Sequence, residues 1–190
     1  MLNKNLEIEL NKQQILPILN TTELHDDIKR LEVFLSNNSH IKNIEITLRQ
    51  ENSFEIAKEL NKNFSNVNFG LGSILSEEDY LKGKDAGFNF FVSPGIVKSL
   101  VKNRVINYIP GGETISEFMY LLDNGYKNIK FFPSNLAGGQ KKLVSIENIL
   151  KQASFIPTGG INKKNYMDFI TLKNVLCVGM SKFDDYNNKV

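Results

Sequence analysis

A chain of 190 residues that is 41% hydrophobic and 23% charged has the make-up of one ordinary globular domain, spanning 1–190. Its net charge of +2 gives no electrostatic footprint for nucleic acid, and no run reaches the ~18 apolar residues that mark a membrane span. A single cysteine excludes an internal disulfide, two histidines leave zinc short of ligands, and the start lacks a signal peptide's apolar stretch. These features predict a cytoplasmic protein with no metal or other cofactor and no nucleic-acid or membrane partner.

Short apolar, β-branched or aromatic runs read as strands at 16–19, 43–48, 67–73, 88–93, 105–109, 128–132, 155–158 and 175–179. Their starts lie about 23 residues apart, the length of a strand, a helix and two short loops. The segments between them carry helical stripes. Phe54, Ala57, Leu60 and Phe64 form one, and Ile115, Phe118, Met119 and Leu122 another. Thr114 with Glu117 has capping-box spacing, and Ser76 with Asp79 is a weaker version. Uniform alternation of strand and helix predicts parallel pairing, and eight units favour a closed (β/α)8 barrel over an open doubly wound sheet. The eighth strand ends near Gly179, and residues 180–190 have little apolar periodicity. A curtailed C-terminal helix is therefore expected, with the early segment 6–14 covering the flank it leaves.

Alternation along the second strand segment puts Ile44, Ile46 and Leu48 on one face and Glu45, Thr47 and Arg49 on the other. The apolar set must face the helices, so the charged pair points into the barrel, with Arg49 toward the C-terminal end where barrel active sites sit. The bland alternative is an edge strand with a solvated Glu–Arg pair. Lys130 interrupts an otherwise apolar sixth segment. Burial lowers an amine's pKa, by up to about 3–5 units when complete, and a neutral amine attacks a carbonyl to form a Schiff base. A snorkelling lysine with its head in water is the alternative. Glycines at strand ends form the third signal. Gly159-Gly160 follows the seventh segment and precedes Asn162, a candidate helix N-cap, while Gly179 ends the eighth. Loops after strands seven and eight are the usual phosphate site of such barrels. His25 and His40 read as solvated, and Cys177 as an inert core thiol.

The runs Ile44-Glu-Ile-Thr-Leu-Arg49, Gly70-Leu-Gly-Ser73, Val92-Ser-Pro-Gly95, Ile109-Pro-Gly111, Ile129-Lys-Phe-Phe-Pro133, Pro157-Thr-Gly-Gly-Ile161 and Val175-Leu-Cys-Val-Gly179 occur in order. Together they resemble the 2-keto-3-deoxy-6-phosphogluconate (KDPG) and 4-hydroxy-2-oxoglutarate (KHG) aldolase family, from about residue 15 to 181. The resemblance implies a metal-free class I aldolase on a (β/α)8 barrel, assembled as a homotrimer, acting on a small 2-keto acid or phosphosugar. Within the family a 2-keto-3-deoxy-6-phosphogalactonate aldolase is an alternative, and outside it a non-catalytic phosphosugar-binding barrel. The resemblance makes Lys130 the Schiff-base lysine and Glu45 the general acid/base. Arg49 and Ser73 would hold the pyruvyl carboxylate, with Pro94 and Phe132 lining the pocket. Gly159, Gly160, Gly179 and Ser181 would bind phosphate. Ser73 stands where the family commonly has Thr, and Met180 where a second glycine is usual, so Met180 either narrows the phosphate pocket or points away.

Overall fold

Strands and helices alternate throughout the described part of the chain, residues 1–181 of a computed structural model. Helix α1 (Lys4–Gln13) leads into β1 (Ile15–Asn20), α2 (Leu24–Asn37), β2 (Asn43–Thr47), α3 (Ser53–Asn63), β3 (Asn68–Gly72), α4 (Glu77–Asp85), β4 (Phe90–Val92) and α5 (Lys98–Lys102). Two short strands, β5 (Tyr108–Ile109) and β6 (Gly111–Gly112), flank Pro110. Then come α6 (Ile115–Asp123), β7 (Asn128–Phe131), α7 (Gly139–Ile146), β8 (Ser154–Pro157), α8 (Tyr166–Ile170) and β9 (Val178–Met180). The expected C-terminal helix falls on 182–190, outside the described residues.

Strand pairing is parallel, in the orders β5-β4-β3-β2-β1-β9 and β6-β7-β8. Bridges Phe155↔Val175 and Thr158↔Gly179 join β8 to the β9 segment, and Pro110 joins the two orders covalently. The result is a curled parallel sheet of the (β/α)8 type. The expected fifth strand over 105–109 is shorter and broken. Proline has no N–H to extend a ladder, so β5 pairs with β4 and β6 with β7, while the Pro110 carbonyl still accepts from the Lys130 N–H at 2.9 Å.

Strand alternation sorts the core into two layers. Leu19, Ile44, Ile46, Phe69, Leu71, Phe131 and Phe155 face the helices. Leu16, Phe90, Val92, Ile109, Ile156 and Cys177 fill the barrel interior. Segment 6–14 falls in α1 and its C-cap Gln14, and it closes the base of the barrel rather than covering a flank. Leu6 and Leu10 of α1 complete the interior cluster. The polar side of α1 meets the starting ends of the strands. Glu7 accepts from the Asn128 amide at 3.0 Å, and Gln13 donates to the Asn43 carbonyl at 2.7 Å while accepting from its N–H at 3.0 Å.

The helix stripes hold in part. In α3, Ala57 and Leu60 are buried, and Phe54 and Phe64 pack at the margin. In α6, Phe118 is buried as expected and Leu122 packs against the core, but Leu121 is buried as well, while Ile115 and Met119 are exposed. At about 100° per residue Met119 lies a quarter turn from Phe118, off the narrow stripe that a nine-residue helix presents. Both capping boxes form, at Ser76–Asp79 and Thr114–Glu117.

The second cap is pH-sensitive. Burial alone pushes the Glu117 carboxyl up, but the Thr114 hydroxyl and the N–H groups of Glu113 and Thr114 together hold it below its ordinary value. The folded state therefore favours the carboxylate. Its contribution is present above the ordinary glutamate pKa of about 4.3 and is lost as pH falls through the lowered folded value. Glu117→Gln should flatten the acid limb of the stability–pH curve below about pH 4.3, measured by urea unfolding. An acid limb identical to wild type would remove this role.

Candidate active site

β2 and β7 lie on opposite sides of the ring, and each sends one charged side chain inward. The Lys130 ammonium donates to Glu45 Oε1 at 3.0 Å and Oε2 at 3.4 Å, and both side chains are buried. Phe132 turns its ring toward the same amine, 5.6 Å from centroid to Nζ. Space for the carboxylate comes from β3, where a Cβ at Gly72 would overlap it. The pair sits above the apolar interior cluster, at the C-terminal ends of the strands. The inward orientation expected for Glu45 and Lys130 holds, and neither an edge strand nor a snorkelling lysine describes them.

Above the pair the mouth divides into two cavities that share Arg49, Lys130 and Phe132. The larger, about 400 Å³, adds Ser73 and Pro94, with Leu48 and Leu75 at its edge. The smaller, about 190 Å³, adds Gly159, Gly160, Gly179 and Ser181. The candidate residues therefore come together, and they separate into one group on each side of the lysine. Arg49 lies two residues past the end of β2 and is exposed. Ser73 follows β3 in the left-handed region at φ 61°, a conformation uncommon for a non-glycine residue.

Three further residues of the smaller lobe, Ile18, Thr158 and Ile161, were not singled out from sequence. Thr158 was legible. It is two residues past the inward Ile156, and its hydroxyl occupies the space that a Cβ on Gly179 would need. Asn162 is not an N-cap. It sits in a turn, its carboxamide accepting from the Lys164 N–H at 2.9 Å, and α8 starts later with Asn165 at its N-cap. The smaller lobe is shaped instead by consecutive left-handed glycines, Gly159 at φ 96° and Gly160 at φ 75°. Met180 points away from it. Alternation along β9 sends Val178 and Met180 into the helix-facing core and leaves Gly179 on the cavity side.

The single cysteine, Cys177, is fully buried inside the barrel. Burial, and secondarily the charge of Glu45, pushes its thiol pKa far up, in keeping with an inert core residue. His25 and His40 are exposed. Among the described residues no helix is long and apolar enough to cross a membrane, and no cluster of His, Cys, Asp and Glu side chains is arranged to hold a metal.

The fold and site define a class, the parallel (β/α)8 barrels with a buried amine and carboxylate at the C-terminal ends of the strands. Residues 6–189 match the family model described as KDPG and KHG aldolase. The chain belongs to that family, whose members are lyases. It is 33% identical over 170 residues to the KHG/KDPG aldolase of Escherichia coli K12, covering 88% of this chain and 79% of that protein. The KDPG aldolase of Legionella pneumophila, solved with pyruvate captured as a covalent carbinolamine, has a TM-score of 0.84 and 32% identity, over 91% of this chain and 84% of that one. The KDPG aldolase of Zymomonas mobilis ZM4, solved with 3-phosphoglycerate, has a TM-score of 0.84 and 25% identity, over 97% and 92% respectively.

The placement of Met180 has a direct consequence. Met180→Ala should destabilise the protein by roughly 2–5 kcal/mol, as for other buried large-to-small changes, and leave affinity for inorganic phosphate unchanged. Urea unfolding and calorimetric titration measure the two effects separately. Altered phosphate affinity with wild-type stability would place the side chain in the cavity instead.

Proposed function

We propose that the chain is a class I aldolase that cleaves KDPG to pyruvate and glyceraldehyde 3-phosphate, and also KHG to pyruvate and glyoxylate. The observation that carries this reading is the buried Lys130–Glu45 pair at the junction of the two lobes. In the larger lobe the Arg49 fork and the Ser73 hydroxyl take the keto-acid carboxylate. Pro94 and Phe132 line the space, and C2 faces Lys130. In the smaller lobe Gly159, Gly160, Gly179 and Ser181 receive the distal phosphate. That the Zymomonas enzyme was solved with 3-phosphoglycerate supports a phosphorylated substrate. Assembly as a homotrimer rests on the family resemblance, and a cytoplasmic location on the sequence features alone.

Glu45 first takes a proton from the Lys130 ammonium. The neutral amine attacks C2, forming the C–N bond of a carbinolamine. Glu45 returns its proton to the C2 hydroxyl, which leaves as water, and a protonated imine remains. The imine draws in the electrons of the C3–C4 bond. That bond breaks as the C4 hydroxyl passes its proton to Glu45 through water, releasing the aldehyde and leaving an enamine. Glu45 then protonates C3. Water hydrolyses the imine to give pyruvate and restores the ammonium.

Incubation with pyruvate and borohydride should add one reduced pyruvyl group, which mass spectrometry should map to Lys130. Lys130→Arg should neither be labelled nor turn over KDPG, because a guanidinium stays protonated. Labelling of a different lysine would overturn the assignment.

Glu45→Gln should keep detectable trapping while turnover falls by roughly 10²–10⁴, the usual contribution of a general acid–base. A coupled assay of pyruvate release measures it. Turnover equal to wild type would remove Glu45 from proton transfer.

A further inference from the structure

Pro94 walls the larger lobe, yet its ring nitrogen carries no proton to hold it there. Its position depends on the residues around it. Behind the wall, Ser93 and Tyr108 are fully buried. The Ser93 hydroxyl donates to the Gly95 carbonyl. The Tyr108 hydroxyl lies 2.6 Å from Ser93 Oγ, and the Val97 N–H donates to Tyr108 Oη at 3.2 Å. A serine hydroxyl has one proton, and here Gly95 receives it, so Tyr108 must be the donor to Ser93. The hydrogen bonds therefore run one way, from Val97 N–H through Tyr108 and Ser93 to the Gly95 carbonyl. They close a ring around residues 94–96.

The same carbonyl accepts from the Gly111 N–H at 3.2 Å, and a Cβ at Gly111 would overlap the Pro94 carbonyl. The turn is thus pressed onto bare backbone and tied from behind. Packing alone does not call for the hydroxyls. The Tyr108 ring meets Tyr126 edge-on, with centroids 5.7 Å apart, and a phenylalanine would keep that contact. A buried hydroxyl is costly unless it is paired, and both ends of this chain of bonds land on the loop. Burial pushes the Tyr108 pKa up, outweighing the bonds to Ser93 and Val97 that lower it, so the donor keeps its proton at neutral pH.

We propose that the Ser93–Tyr108 relay is a positioning device for Pro94, which sets the distance of the keto-acid end of the substrate from the Lys130 amine. This rests on the reading that the larger lobe receives the keto-acid carboxylate. Tyr108 and Ser93 are positioning residues and touch no reacting atom.

Three variants test it: Tyr108→Phe, Ser93→Ala and the double substitution. Tyr108→Phe should raise the pyruvate concentration for half-maximal borohydride trapping roughly tenfold, within the ~10²-fold that a 1 Å misplacement costs. In the condensation direction the half-saturation for glyceraldehyde 3-phosphate, which occupies the other lobe, should stay at its wild-type value. Because the hydroxyls act as one chain, the double variant should be no worse than the more affected single one. A lower Tm with pyruvate saturation unmoved would make the relay merely structural, and equal weakening of both substrates would also overturn the proposal. Hydrogen exchange reads the positioning without any substrate: amides of Val97 and Gly111 should exchange faster in Tyr108→Phe, and unchanged exchange overturns the proposal. Failure of the wild type to trap pyruvate at Lys130 would instead sink the aldolase reading while exchange still judged the relay. Should Tyr108→Phe not fold, Ser93→Ala carries each comparison.

Discussion

A positive and a negative charge buried together above an apolar plug set the terms for the whole mouth of this barrel. Each ion gives up hydration worth several kcal/mol, and that loss is offset only if the two remain in contact. The contact is made across the ring, between strands far apart in sequence, at 3.0 Å. It joins β2 to β7 beneath the mouth. Room for it comes from Gly72, and Phe132 offers the amine an aromatic face. In the proposed mechanism Glu45 takes the lysine's proton before the amine attacks the keto acid, so the two opposite charges become two neutral groups at the first step.

The alternation of strands made much of this site readable. Period two is a local property, so Glu45 could be turned inward from its immediate neighbours alone, whereas the apolar run around Lys130 left a snorkelling lysine open until the family resemblance made it the Schiff-base residue. The same rule leads to Thr158, and it sends Met180 outward once Gly179 is placed inward. Family resemblance supplied what alternation has no means to give, the grouping of Ser73, Pro94 and Phe132 around the lysine. They come from three separate strand ends, and only the closed ring makes them neighbours.

Misplaced features have a common origin in tertiary context. Segment 6–14 was expected on the flank of a short C-terminal helix, but its location is decided by Asn43 and Asn128, which the polar side chains of α1 meet at the base of the ring. The break at Pro110 follows from a missing N–H, yet which strand each half joins depends on partners elsewhere. Met119 was assigned to a buried stripe because apolar residues surround Phe118. The sheet beneath covers only one edge of a helix this short, and Leu121 occupies it.

The placement of α1 also bears on the order in which the molecule assembles. This helix precedes the other described elements in the chain, but the pocket for Leu6 and Leu10 includes Ile156, Leu176 and Cys177, from the last part of the described chain. Its bond to Asn128 spans 121 positions. Loop-closure entropy opposes such distant contacts until intervening structure has shortened the effective loop. Through most of synthesis the apolar side of α1 has only part of its binding surface. Of the described helices, the first in sequence is among the last to find its seat.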